Sequence, residues 1–326
     1  VFKKIASLFG AGCFRLACFM LISPSSNNLN RFQNTFTGVA NMKRRKKALS
    51  LNWAMLCVIG GFSATAHSAD VLDRIKEEKT ITIATEARYA PFESVENGKI
   101  VGYDVDLMNH ILEKKLPGVA VKQLDLPFQG ILPGLDAKKF DFVVTAVTVN
   151  KQRVAHFAFT VPIAESTVAL LKRENDGTIT TLEDLSGKIV GSQAGSGQLQ
   201  VLQEFNAKLK ASGKPGIKEI KQYVSFDEAY ADLANKRLDG VAQSLANLGP
   251  LIKSRPGLFT TLKPMLGPTT YFGWVGRQDT DSASLVKLLS DGISEANKDG
   301  TMKALQQKWF GFVMDVPADK MPAPAL

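Results

Sequence analysis

The sequence predicts an α/β protein of two lobes. Strand-type and helix-type apolar patterns alternate along residues 69–326 in two series, with a break near Thr181–Leu185. Runs such as Phe142-Val143-Val144 carry no polar interruption, as expected of a strand covered on both faces. Residues 69–326 also contain no cysteine, so neither a disulfide nor a thiolate metal site holds them together. A chain of this size buries roughly 70–75% of its unfolded surface, enough for a core-stabilised protein, and its length suits two lobes better than one.

The formal charge of +9 belongs to the first 68 residues, which hold nine Lys or Arg and no Asp or Glu. The remainder balances at 31 basic and 31 acidic residues and has no long basic run, which argues against a nucleic-acid partner. Met42 opens a basic start (Lys43–Lys47), an apolar core (Ala54–Phe62) and a small-residue cleavage pattern. Residues 42–68 therefore read as a secretory signal peptide, cleaved after Ser68 in preference to Ala66. The alternative, a membrane anchor, is weakened by the Ser, Asn, Gly and Thr content of the stretch. Leu56 precedes Cys57 where a lipid-attachment cysteine needs a small residue, so no lipoprotein is expected. Residues 1–41 read as an upstream over-extension, with Met42 as the start.

The elements follow in order. Thr80–Ala84 is a strand, and Pro91 keeps the segment after it a loop. Asn97-Gly98 is a tight turn between short extended pieces. Tyr103–Leu116 is a helix with Leu107, Met108, Ile111 and Leu112 on one face. Strand Val119–Leu124 and a short helix headed by Phe128 come next. The buried strand opening at Phe142 turns small and polar at Thr145, Ala146 and Thr148; Asn150 caps a short helix that carries Arg153. Thr167–Lys172 is a strand, and this first series implies a mostly parallel sheet. The second series has strands at 188–192, 217–224, 239–243, 258–262 and 271–276, and helices at 198–210, 225–236 and 244–254. Helices at 281–297 and 301–309 close the fold, and the Pro- and Ala-rich tail from Val316 is expected to be loose.

Chemistry is expected where strands end, since open α/β sheets bind ligands beyond their carboxyl edges. Residues 69–326 offer only His110 and His156, with no HExxH, no GxSxG and no P-loop, so no metal and no cofactor is expected. Three features remain. Tyr89 and Phe128 could sandwich an apolar group, Arg153 could grip a carboxylate in a two-pronged fork, and Gly195-Ser196-Gly197 could offer backbone N–H groups to an anion. Two have a plainer alternative: a surface arginine in a βα connection, and a glycine serving a tight turn.

Six segments in order carry a resemblance: Tyr89-Ala90-Pro91-Phe92-Glu93, Val101–Leu107, Pro127–Pro133, Thr148–Arg153, Leu182-Glu183-Asp184-Leu185, and Gly300-Thr301 to Lys308-Trp309-Phe310-Gly311. Over residues 79–311 the chain resembles family 3 of the bacterial extracellular solute-binding proteins, the polar amino-acid receptors of ABC importers. The resemblance implies the type II periplasmic-binding-protein-like α/β fold: two α/β lobes joined by two crossover hinge strands near Ala164–Ser166 and Gly267–Thr269. Lobe 1 would comprise residues 69–165 and 268–326, and lobe 2 residues 166–267. It implies stacking by Tyr89 and Phe128, carboxylate binding by Arg153, and support from Thr145, Ala146, Thr148, Ser196 and Gly197. At Ser244 the family usually has an aspartate that pairs with the ligand's α-ammonium. Either Glu86 or another group supplies that charge here, or the ligand lacks a primary α-ammonium; the missing charge-assisted bond is worth roughly 1.5–3 kcal/mol.

The function so implied is a monomeric periplasmic receptor that captures an amino acid or related small carboxylate and delivers it to an ABC permease in the inner membrane. The enzyme alternative is a cyclohexadienyl dehydratase, which resembles the same fold but has an acidic glutamate where Gln198 stands. A third reading is a ligand-sensing protein; no second membrane span or kinase segment follows Gly311.

Overall fold

In the computed structural model, residues 70–326 are described. The expectations for residues 1–41 and for the signal peptide at 42–68 lie outside the described residues.

Helix α1 (Val71–Glu78) is capped by Asp70, whose carboxylate accepts from Leu72 N at 2.8 Å, and ends at Lys79 in the left-handed conformation. It leads into β1 (Thr80–Thr85). Next come β2 (Arg88–Tyr89), β3 (Glu93–Glu96) and β4 (Lys99–Val101), a small antiparallel sheet that turns at Asn97-Gly98. Helix α2 (Tyr103–Lys115), β5 (Ala120–Asp125), α3 (Phe128–Asp136) and β6 (Phe142–Thr148) follow. Strand β6 is buried at every position and runs through Thr148, farther than its apolar start suggests. Helix α4 (Lys151–Val154) carries Arg153 and is capped by Asn150. Strands β7 (Phe157–Phe159) and β8 (Ala164–Glu165) end this part of the chain.

The second series is β9 (Val168–Arg173), β10 (Ile189–Gln193), α5 (Gly197–Ala211), β11 (Glu219–Tyr223), α6 (Phe226–Ala234), β12 (Gly240–Ser244), α7 (Leu245–Ser254) and β13 (Phe259–Thr261). Strand β14 (Tyr271–Arg277) and helices α8 (Ala283–Lys298) and α9 (Thr301–Trp309) return to the first sheet. The two sheets have orders β5-β1-β6-β14-β7, with β8 beside β14, and β11-β10-β12-β9-β13.

The sheets are mixed rather than mostly parallel. β5, β1 and β6 are parallel and so are β11, β10 and β12, but β14 and β9 run antiparallel to their neighbours. β9 and β14 enter from the other lobe, so no crossover helix returns the chain to the parallel direction. The two crossing segments bond to each other: Ser166 N donates to the Thr270 carbonyl at 2.7 Å, and Thr270 Oγ1 donates to the Ser166 carbonyl at 3.0 Å. The tail from Val316 has neither helix nor strand, yet it is docked, which corrects the expectation of a loose end. Lys151 N donates to the Leu326 carbonyl at 3.0 Å, and Leu326 joins the apolar cluster of Val168, Val201 and Leu266. Its burial outweighs the cost of ordering a short segment.

The loop bearing Tyr89 is fixed by aromatic packing. Phe92 meets Tyr103, Phe272 and Phe310 at ring centroid distances of 6.0, 5.2 and 5.0 Å. Gly102 makes this approach possible: at φ 145° it occupies a conformation open to glycine, and a Cβ there would lie 2.1 Å from the Phe92 carbonyl oxygen. Gly102→Ala is expected to destabilise the protein by about 3 kcal/mol or more, read as a lower urea midpoint.

Candidate functional site

The carboxyl ends of the parallel strands in both sheets face one another, so short polar segments from both lobes meet in one cleft. From lobe 1 come Glu86 and Tyr89 after β1, Phe128 at the head of α3, Thr148 at the end of β6, and Arg153. From lobe 2 come Gln193 at the end of β10, the Ala194–Gly197 turn, Gln198, and Gln243 and Ser244 at the end of β12.

Arg153 is 8% exposed. Its guanidinium donates to the Thr148 carbonyl at 2.7 Å and, across the cleft, to the Gly195 carbonyl at 2.8 Å. It also lies 5.4 Å from the centroid of the Phe128 ring, a cation–π contact. Burial lowers its pKa to about 10, which still leaves it charged at neutral pH. A buried guanidinium held by neutral carbonyls keeps its full charge, so an anion placed there would meet an uncompensated cation.

Further hydrogen bonds between the lobes use amides. Gln198 Nε2 donates to the Tyr89 hydroxyl at 2.8 Å, and that hydroxyl donates to Gln243 Oε1 at 3.3 Å. Gln193 Nε2 donates to Glu86, Asn150 Nδ2 to Gln200 Oε1 at 2.8 Å, and Asn247 Nδ2 to the Ala90 carbonyl at 2.9 Å. Glu86 is 1% exposed, and burial raises its pKa to about 8; the Gln193 bond and the Arg88 charge pull it down, while Asp125 and Asp227 push it up. At neutral pH it is therefore largely protonated until a cation approaches.

The structure brings Arg153, Phe128, Thr148 and Gly197 together, with Glu86 and Tyr89 bridged to lobe 2. Four other candidates have their side chains placed elsewhere. Ser196 caps α5, donating to the Gln193 carbonyl at 2.8 Å and accepting from Leu199 N at 3.1 Å. Ser244 donates to Asn247 Oδ1 at 2.8 Å within its own lobe. Thr145 lies beside Glu93, and Ala146 is buried in β6. Tyr89 and Phe128 do not act as a facing pair: the Tyr89 ring stacks on Phe92 at 5.7 Å, and Phe128 carries Arg153. A cavity of about 290 Å³ opens beyond Tyr89, between the lobes, and Arg88, Asp227, Tyr230 and Arg255 contribute to its wall.

This geometry coincides with a sequence match. The family model described as "Bacterial extracellular solute-binding proteins, family 3" matches residues 81–312. The chain belongs to that family. As a family 3 solute-binding protein, it is 30% identical over 266 residues to the L-cystine-binding protein TcyJ of Escherichia coli (strain K12), covering 78% of this chain and 92% of that relative. Its fold matches the histidine-bound substrate-binding protein of an ABC uptake transporter from Streptococcus pneumoniae, with a TM-score of 0.68 at 25% identity, covering 77% of this chain and 100% of that one. It also matches the ancestral amino acid-binding protein AncCDT-1, described as a precursor of cyclohexadienyl dehydratase, with a TM-score of 0.63 at 26% identity over 74% and 100% of the two chains.

Several residues in the cleft of this solute-binding protein escaped the sequence reading. Gln193, Gln243 and Asn247 are at most 3% exposed and engage lobe 1 directly. Their signal was present: each glutamine closes or nearly closes a strand that opens on apolar residues, where a polar side chain needs a partner supplied from outside the strand.

Proposed function

We propose that the protein is a periplasmic receptor for an amino acid or amino-acid-like carboxylate, which it hands to an ABC permease in the inner membrane. One observation carries this reading: the buried, charged Arg153 touches carbonyls of both lobes, at the mouth of a helix N-terminus begun by Gly197. A ligand carboxylate exchanging with those carbonyls would take the guanidinium fork and the free N–H groups of α5. It would bind both lobes and so favour their closure.

The amine end differs from the carboxylate end. Ser244 brings no charge, and Glu86 is the buried acid nearest in role. A cationic group beside Glu86 would pull its proton off and gain a charge-assisted bond. The cavity past Tyr89 gives a second polar end room to extend toward Asp227 and Arg88. The names of the relatives, which bind cystine, arginine and histidine, agree with ligands of that shape. Export by the segment 42–68 and a monomeric state belong to the same proposal.

The test is a thermal-shift screen of amino acids including L-cystine and L-arginine, their N-substituted derivatives, plain carboxylic acids and the matching amines. Shifts are expected from ligands that keep the carboxylate. Equal shifts from amines that lack it would overturn the reading.

The enzyme alternative draws on the raised pKa of Glu86, which leaves a proton donor in the cleft. Gln198 opposes it, because an amide that donates to the Tyr89 hydroxyl supplies no acid at the position where the dehydratases carry one. Turnover of prephenate or arogenate by the purified protein would reverse this ranking.

A further inference from the structure

Beneath the cleft lie two carboxyl groups that the ligand contacts do not use. Glu93 opens β3 and pairs directly with Tyr89 in the β2–β3 ladder. Asp104 sits in the first turn of α2, and its backbone N–H donates to the Phe92 carbonyl at 3.1 Å. Both side chains are fully buried, at 0% exposure. No N–H or O–H of the described residues reaches either carboxyl with ordinary hydrogen-bond geometry. Thr145 of β6 lies beside Glu93, and the indole of Trp274 in β14 lies beside Asp104.

Two ionised carboxylates cannot satisfy each other, because each only accepts. Placing both in a dry interior would cost many kcal/mol. One shared proton removes the conflict: it turns one group into a donor and leaves a single charge. Asp104 is the better anion, since it has the N-terminal end of α2 and the Trp274 indole beside it. Glu93 is then the acid.

We propose that Glu93 and Asp104 share one proton, and that this acid–carboxylate bond is a positioning device that fastens the hairpin carrying Tyr89 to α2 and β6. Its consequence for ligand binding rests on the reading of Tyr89 as a ligand contact; the bond itself does not. Burial raises the pKa of both carboxyls, most strongly at Glu93, where the neighbouring Asp104 adds to the effect. The folded protein therefore holds more protons than the unfolded chain between the ordinary carboxylate range and the raised values. Stability is greatest in mild acid and falls as pH rises through that window. The groups facing the pair are Glu86 after β1, Tyr89 in β2, Tyr103 in α2, Thr145 and Trp274. Of these only Glu86 also changes charge near neutrality, and it does so with the same sign.

The test removes that overlap by working in protein carrying Glu86→Gln. Expected results are a melting temperature that drops by at least about 4 °C from pH 5 to pH 9, a protonated-carboxyl infrared band at pH 7, and amide-exchange protection of residues 88–101, corrected for intrinsic rates, that falls at least tenfold from pH 6 to pH 8. Adding Glu93→Gln, whose amide still donates to Asp104, should preserve folding, remove the infrared band and flatten both pH profiles. Absence of the band, or a pH profile unchanged by Glu93→Gln, would overturn the shared proton. A melting profile that responds while protection of the hairpin does not would overturn the positioning role. None of these measurements uses a ligand, so failure of the receptor reading would show separately, as a blank ligand screen.

Discussion

One added carbon at Gly197 is expected to keep the lobes from closing. A Cβ there would lie 2.6 Å from Thr148 Cβ and 2.7 Å from both branches of that side chain. Thr148 cannot move aside, because it sits in the buried strand β6 and its hydroxyl is bonded to Ser166 Oγ at 3.1 Å. The strain is absent when the lobes part, since the contact joins one lobe to the other. Gly197→Ala should therefore weaken the best ligand about 100-fold, or about 2.7 kcal/mol, in calorimetry. The melting temperature of the free protein should stay level or rise, because alanine favours the first turn of α5. Small-angle scattering should show the ligand-saturated variant more extended than the ligand-saturated parent. Gly130→Ala, whose Cβ meets nothing within 4 Å, is the control and should bind as the parent does. Normal affinity in Gly197→Ala would mean that closure does not bring these two residues together.

Loss of Arg153 should have a comparable effect for a different reason. Arg153→Ala removes a two-pronged charged donor, and affinity for carboxylate ligands is expected to fall at least about 100-fold. Arg153→Lys keeps the charge but loses the fork and should recover only part of that. Stability should change little. The variant takes the Arg153 donor from the Thr148 and Gly195 carbonyls, but it also relieves the burial of a charge, and the two oppose one another. A ligand carboxamide should bind the parent weakly and lose little in Arg153→Ala. Equal losses for carboxylate and carboxamide would show that Arg153 shapes the cleft without gripping an anion.

The fold was largely legible because apolar periodicity is written locally. The buried run of β6, the one-sided helix at Tyr103 and the Asn150 cap needed only neighbouring residues to be read. Strand direction was less legible. β9 and β14 read as ordinary members of an α/β series, and only their arrival from the other lobe makes them antiparallel. The tail misled for a related reason: its Pro- and Ala-rich composition hides that Leu326 finds an apolar cluster far away in sequence.

The candidate site divides along the same line. By itself the sequence determined an α/β chain with polar groups at its strand ends and an arginine one turn into a capped helix. These follow from residue type and short-range spacing. Only the tertiary structure decided how those groups are used. It turned the hydroxyls of Ser196 and Ser244 back into their own lobe, laid Arg153 on Phe128, matched three glutamines of one lobe to Glu86 and Tyr89 of the other, and buried Glu93 beside Asp104. The physical reason is that hydrogen bonding and charge are settled by burial and by partners distant in the chain, which no local pattern encodes.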